Sequence, residues 1–208
     1  MLKIEKTDVF GFEAAIRGMR NPMNSWEKSD SYGRESLIGE NDLKLMKALS
    51  KAGSDHAKFL RMINVTVDIT APLYWLKEFD TYKVGTVANS CSTMHKIHAK
   101  EFTVDDFSCE HLNASTGIEI DSLDILMRVI NILNIYRDNY LKTKDKRDWW
   151  QMIQLLPSSY NQKRTVQLNY QVLKSMYFAR KDHKLDEWHT LCDWMLTLPY
   201  FKEICVDV

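Results

Sequence analysis

Residues 63–69 alternate strictly: Ile63, Val65, Val67 and Ile69 are apolar, and Asn64, Thr66 and Asp68 between them are polar. A period of two puts all four apolar side chains on one face of a strand, whereas a helix would scatter them. The register is correspondingly firm, because a slip of one residue would turn the whole apolar set to solvent. Ala71-Pro72 follows. Proline has no N–H for a ladder and suits the first turn of a helix. Leu73, Leu76 and Phe79 then recur at helical spacing among Lys77, Glu78 and Asp80, which predicts a helix ending near Asp80. Gly85-Thr86 and the run Asn89-Ser90-Cys91-Ser92-Thr93 read as a loop rich in hydrogen-bonding groups. A strand, a helix and such a loop in succession make a platform for a ligand.

The rest of the chain is mostly helical in pattern. Phe12, Ala15, Ile16 and Met19 share one helical face, and Asn21-Pro22 ends that element. Residues 24–40 are polar and turn-rich, a surface loop of a length that is often functional. Asn41 is placed to cap the next helix, with Leu43, Met46, Leu49 and Ala52 as its buried stripe and Gly53 as its stop. Lys96 to Thr116 shows little periodicity. Asp121 can cap a long helix carrying Leu123, Leu126, Ile130, Leu133 and Tyr140. A charged turn at Lys142–Arg147 and a helix from Trp149 to Leu156 follow, then a short strand at Thr165–Asn169. Two last helices carry Val172, Leu173 and Met176, then Leu185, Trp188, Cys192 and Met195. Several helices with few strands predict an α+β (α/β-like) fold, a small central sheet packed with helices. No linker or low-complexity segment interrupts the chain, so residues 1–208 read as a single domain.

Charge and cysteine usage narrow the function classes. Lys+Arg and Asp+Glu are both 28, a net charge of zero, which argues against a general nucleic-acid coat; a local cluster can still hold one nucleotide. Cys91, Cys109, Cys192 and Cys205 form no C-x-x-C pair, so neither a zinc site nor a disulfide framework is expected. His95 and His98 make an H-x-x-H pair with no further ligand spaced to join them, and read as polar or capping residues, with no metal assigned. Trp149, Trp150, Trp188 and Trp194 are a base-stacking set on one reading and core or subunit contacts on the other. Arg180, in the mixed-charge run 180–184, is either a solvated residue or an anion contact. Cys91 is a buried inert thiol or a nucleophile, with Lys83 and His95 the basic residues nearest in sequence. The chain shows no apolar signal core and no run of membrane-spanning length, which predicts a cytoplasmic protein with no membrane partner.

Two blocks resemble the flavin-dependent thymidylate synthases (ThyX). His56, the strand 63–69, Ala71-Pro72 and the helix 73–79 stand in the order and spacing of that family's first block. Leu156-Pro157, Asn169, Arg180 and the helix carrying Glu187 answer to its second, so the resemblance covers about residues 41–198. It implies a ThyX-like fold, FAD as cofactor, a pyrimidine nucleotide as substrate, and a homo-oligomer, a tetramer, with sites between subunits. By position, His56, Tyr82, Lys83, Asn89 and Asn169 would contact flavin, and Thr86, Ser90, Ser92 and Arg180 the substrate. Arg180 would orient the pyrimidine ring and Cys91 would attack it.

The signature motif departs from the family. Where the family reads R-H-R-x-x-S-x-N-E-x-S-x-R-Y, this chain has Thr81-Tyr82-Lys83, Thr86, Ala88-Asn89, Cys91 and Thr93-Met94. Ile153 stands where the family has an arginine just before the Leu-Pro. Each lost charge-assisted hydrogen bond to phosphate is worth about 1.5–3 kcal/mol. The expectation is a diverged protein that binds flavin or a pyrimidine nucleotide without being a standard thymidylate synthase. The alternative is a non-catalytic oligomeric descendant that binds a protein partner or another metabolite. Lys28 and Arg34 in the 24–40 loop are the candidates to replace the lost arginines.

Overall fold

Four strands, β1 (Lys3–Phe10), β2 (Asn64–Pro72), β3 (Val87–Ser90) and β4 (Asn161–Asn169), form one sheet in the order β1-β2-β4-β3. The computed structural model describes residues 1–32, 37–114 and 121–208, so Arg34 and Thr116 lie outside the described residues. β2 is the alternating segment. Ile63, Val65, Val67 and Ile69 are each no more than 1% exposed, the register that the alternation dictates. Asp68 on the opposite face is also buried, and it accepts a hydrogen bond from the Thr165 hydroxyl at 2.7 Å. β2 and β4 are antiparallel. Tyr170 N–H donates to the Ile63 carbonyl at one end, and Leu73 N–H donates to the Tyr160 carbonyl at the other, both at 3.0 Å.

The strands depart from the expected pattern in several places. β2 runs through Ala71-Pro72 instead of stopping before it; a proline at the strand's last position leaves the ladder behind it intact. β1 is an addition to the expected elements: five of its eight residues are exposed and four are charged, as suits an edge strand, and so it lacks an apolar alternation. β3 replaces part of the expected 89–93 loop, at the other edge of the sheet, with all four residues exposed. β4 begins four residues earlier than the predicted 165–169 strand, in the polar run Asn161–Arg164.

Helices α1 (Phe12–Arg20), α2 (Glu40–Lys51), α3 (Leu73–Phe79), α4 (Ser122–Thr143), α5 (Lys146–Leu155), α6 (Tyr170–Arg180) and α7 (Asp186–Leu196) supply the rest. Asn41 is not the cap of α2. Gly39 occupies that position, and the Asp30 carboxylate accepts from the Asn41 and Asp42 N–H groups at 2.9 and 3.1 Å. The buried face of α2 correspondingly carries Asp42, Met46 and Ser50 in place of Leu43, Leu49 and Ala52. α4 starts as expected, with Asp121 and Asp124 in a reciprocal capping box. α5 begins inside the expected charged turn because Asp145 caps it, accepting from Arg147 N–H at 2.8 Å.

The chain divides into two compact units. One comprises residues 1–3, 70–79 and 89–164. Its core joins Ile97, Phe102 and Phe107 from the aperiodic stretch to Leu126, Ile130, Leu133 and Met152 of α4 and α5. The other comprises 4–69, 80–88 and 165–208. There Phe12, Met46, Leu60, Tyr170, Leu173, Met176, Trp188 and Phe201 are buried. Each such side chain contributes about 1.5–3 kcal/mol by leaving water.

Candidate functional site

The 80–88 segment and the start of α6 enclose a cleft of about 480 Å³, lined by Arg61, Thr81, Tyr82, Lys83, Val84, Gly85, Asn169, Gln171, Val172 and Ser175. Its size is that of small-ligand pockets. Three local features build it. Gly85 sits at φ +79°, a left-handed conformation open to glycine, and any Cβ there would lie 3.0 Å from Asn169 Nδ2 and 3.1 Å from Val172 Cγ2. Asn169 caps α6, its Oδ1 accepting from Val172 N–H at 3.1 Å. The 3-10 turn Lys58–Arg61 packs against α1 and α6 and so delivers Arg61 to the cleft.

Tyr82 and Arg180 are bonded to each other. Arg180 Nε donates to the Tyr82 hydroxyl at 3.0 Å, and the guanidinium lies 4.7 Å from the centroid of the buried Trp188 ring. Tyr82 meets Trp188 edge to face at 6.0 Å, and His183 flanks the same indole at 6.2 Å. Thr86, one residue past Gly85, buries a hydroxyl with no hydrogen-bond partner among the described residues. An orphaned hydroxyl of this kind costs about 1–3 kcal/mol.

The structure thus brings Tyr82, Lys83 and Asn169 to one cleft, with Arg180 bonded to Tyr82 and Thr86 adjacent in sequence. His56 lies in an exposed turn after α2, its N–H bonded to the Gly53 carbonyl at 3.1 Å, and does not line the cleft. Asn89, Ser90, Cys91 and Ser92 belong to the other unit and are exposed. Cys91 is held there by its backbone: its N–H donates to the Lys163 carbonyl at 2.9 Å, and its carbonyl accepts from Gln162 Nε2 at 2.7 Å. Ser92 Oγ accepts the N–H groups of Met94 and His95 at 3.2 and 2.9 Å, a local turn. Ile153, in the family's arginine position, packs against the core of that unit.

Sequence reasoning missed Arg61, Gln171 and Ser175. Arg61 carried one signal, a basic residue two positions before the alternating strand; Gln171 and Ser175 enter only through the tertiary placement of α6. Of the tryptophans, Trp149 and Trp150 meet edge to face at 4.8 Å, Trp188 is buried, and Trp194 donates to Thr7 Oγ1 at 3.1 Å. All four cysteines are free. Burial pushes the Cys192 thiol up to about 11 and the Cys205 thiol up to about 12, so both are inert at neutral pH. Among the described residues no group of three or more metal-ligating side chains gathers, and no helix is long and apolar enough to cross a membrane.

Sheet order, strand-to-helix succession and helix content define an α+β protein of the ThyX-like fold. It is similar over its whole length to thymidylate synthase X (ThyX) from Helicobacter pylori, solved with FAD and dUMP. The TM-score is 0.71 at 16% identity, covering 100% of this chain and 98% of that one. A second structure of the Helicobacter pylori enzyme with FAD and dUMP matches equally well, over 99% and 98% of the two chains. A UMP/dUMP methylase, PolB, from Streptomyces cacaoi, bound with 5-Br dUMP, matches with a TM-score of 0.59 at 10% identity, covering 95% of this chain and 88% of that one. No protein-family model and no curated protein sequence matches the chain. At these identities the likeness is one of fold.

Proposed function

We propose that this chain is a diverged ThyX-like protein that binds a pyrimidine nucleotide or a flavin in the cleft between residues 81–85 and the start of α6. The observation that carries the reading is the donor set of that cleft within this fold. Arg61 and Lys83 supply positive charge for a phosphate, Tyr82 an aromatic edge, and Asn169 and Gln171 amides for ring carbonyls and nitrogens. Solved proteins of the same fold hold FAD and dUMP or 5-Br dUMP. The residues suit one phosphate-bearing ring; a bound flavin would supply hydride chemistry that no side chain offers. Lys83 acts as a point charge and cannot reproduce the bidentate geometry of an arginine.

The same reading holds that the protein is not a standard thymidylate synthase. Thr81, Thr93 and Ile153 offer no charge where the family has arginines, and Ile153 is packed against apolar neighbours. In the enzyme version Arg180 orients the ring. A non-catalytic version is favoured by one observation: Arg180 is already bonded to Tyr82 and stacked on Trp188. In both versions 1–208 acts as one domain, which the alternation of the two units in six segments along the sequence supports. Both versions are homo-oligomers, supported by the exposed Ile125, Met127, Ile132 and Ile135 of α4. Four free cysteines fit a cytoplasmic location. The test is expression in cells lacking thymidylate synthase, with light scattering on the purified protein. No growth without thymidine and an oligomeric mass are expected; growth overturns the divergence, and a monomer overturns the assembly.

A further inference from the structure

The H-x-x-H pair, unused by the function proposed above, lines a second cavity in the other unit. His95 and His98 share about 340 Å³ with Tyr140 and Lys144 at the end of α4 and Lys146 and Trp149 of α5. The pocket is built, not incidental. Trp149 Nε1 donates to the Met94 carbonyl at 3.1 Å, tying the histidine segment to α5. His98 meets Tyr140 edge to face at 4.9 Å, and Lys144 Nζ stands 5.7 Å from the centroid of the same ring. Lys144 is fixed at φ 59°, the left-handed residue that closes α4. Among the described residues no carboxylate lines the cavity. His98 Nδ1 is buried and has no hydrogen-bond partner among the described residues.

From this geometry we propose that the cavity is a binding site for a small phosphomonoester with an aromatic or other flat substituent. Two lysines and two histidines line it, with Lys146 Nζ 5.9 Å from the centroid of the neighbouring Trp150 ring, a donor set that suits a dianion with three acceptor oxygens. Tyr140 and Trp149 provide flat apolar walls for the organic part. The zero net charge of the chain fits a single small anion and not a polymer. The electrostatics agree. Burial holds the His98 imidazole below its ordinary value, and Lys144, Lys96 and Arg137 lower it further. A bound anion reverses that field and raises it.

The test uses the full chain and follows the His98 ring by proton–nitrogen NMR while phenyl phosphate, inorganic phosphate or uncharged phenol is added at constant ionic strength. The titration is repeated on a Lys144→Asn/Lys146→Met variant, in which asparagine tolerates the left-handed position. An Arg61→Met/Lys83→Met variant separates this site from the 81–85 cleft. Phenyl phosphate is expected to shift the His98 signals saturably and raise the pH at which they titrate, with inorganic phosphate weaker and phenol inert. The Lys144/Lys146 variant should bind about tenfold more weakly or worse, and the Arg61/Lys83 variant like the parent. No saturable shift in folded protein, an unchanged affinity in the Lys144/Lys146 variant, or loss in the Arg61/Lys83 variant overturns the proposal.

Discussion

Asp42→Ala should be the most destabilising single change outside the apolar core. Asp42 is fully buried, and its Oδ1 accepts from Arg20 Nε at 2.7 Å with Arg20 Nη2 at 2.6 Å. Its Oδ2 accepts from the Ser29 and Ser31 hydroxyls at 2.8 and 2.6 Å and from the Asp30 and Ser31 N–H groups, both at 3.1 Å. Truncation leaves Arg20, itself 3% exposed, with the Ser25 and Lys28 carbonyls as its acceptors among the described residues. Removing one partner of a buried ion pair costs about 3–5 kcal/mol. At roughly 2–4 °C per kcal/mol for a chain of this size, the melting temperature falls by about 6–20 °C. Denaturant melts at neutral pH give the number directly. A loss below about 1 kcal/mol, the value of an exposed pair, would refute the reasoning. The pH dependence adds a second check. Burial alone would raise the Asp42 carboxyl, but hydrogen bonds from Ser31, Ser29, Arg20 and the Asp30 N–H together hold it below the usual range. A depressed folded value means that the stabilisation is complete above the unfolded value near about 3.9 and is lost as pH falls through the folded one. The gap between parent and variant should therefore hold steady from neutrality to about pH 4 and close below it.

Gly85→Ala forces a Cβ against Asn169 and Val172 at a left-handed residue. A loss of about 1–3 kcal/mol is expected from strain and disturbance of the α6 cap, together with weakened ligand binding; thermal melts and titration check both. Under native conditions a thiol reagent should modify the exposed Cys91 and, more slowly, the half-buried Cys109. Cys192 and Cys205 should react only on unfolding, and peptide mapping after a timed reaction decides it.

The parts of this structure legible in the sequence are those where burial imposes a period. Ile63 to Ile69 announced β2 because one face of the strand is wholly buried, and Phe12, Ala15, Ile16 and Met19 announced α1 for the same reason. β1 and β3 were invisible because edge strands owe their pairing to a neighbour's backbone and bury little of their own side-chain surface. Asp42 was hidden because its burial depends on Arg20 and on serines from the 24–32 segment, a tertiary network with no local period. At the site, Tyr82, Lys83 and Asn169 were reachable through their order along the chain. Arg61 was not, since the 3-10 turn that presents it is positioned by α1 and α6. The bond between Arg180 and Tyr82, 98 residues apart, likewise has no local trace.

The central claim is that the cleft formed by residues 81–85 and the start of α6 holds a pyrimidine nucleotide or a flavin. Calorimetric titration of dUMP and of FAD into the purified chain, beside the Arg61→Met/Lys83→Met variant, tests it most directly. The account predicts saturable binding of at least one of the two ligands. It also predicts that the variant, with two charge-assisted contacts removed, binds that ligand at least about a hundredfold more weakly while melting like the parent. Binding of neither ligand by folded protein, or equal affinity in parent and variant, would contradict it.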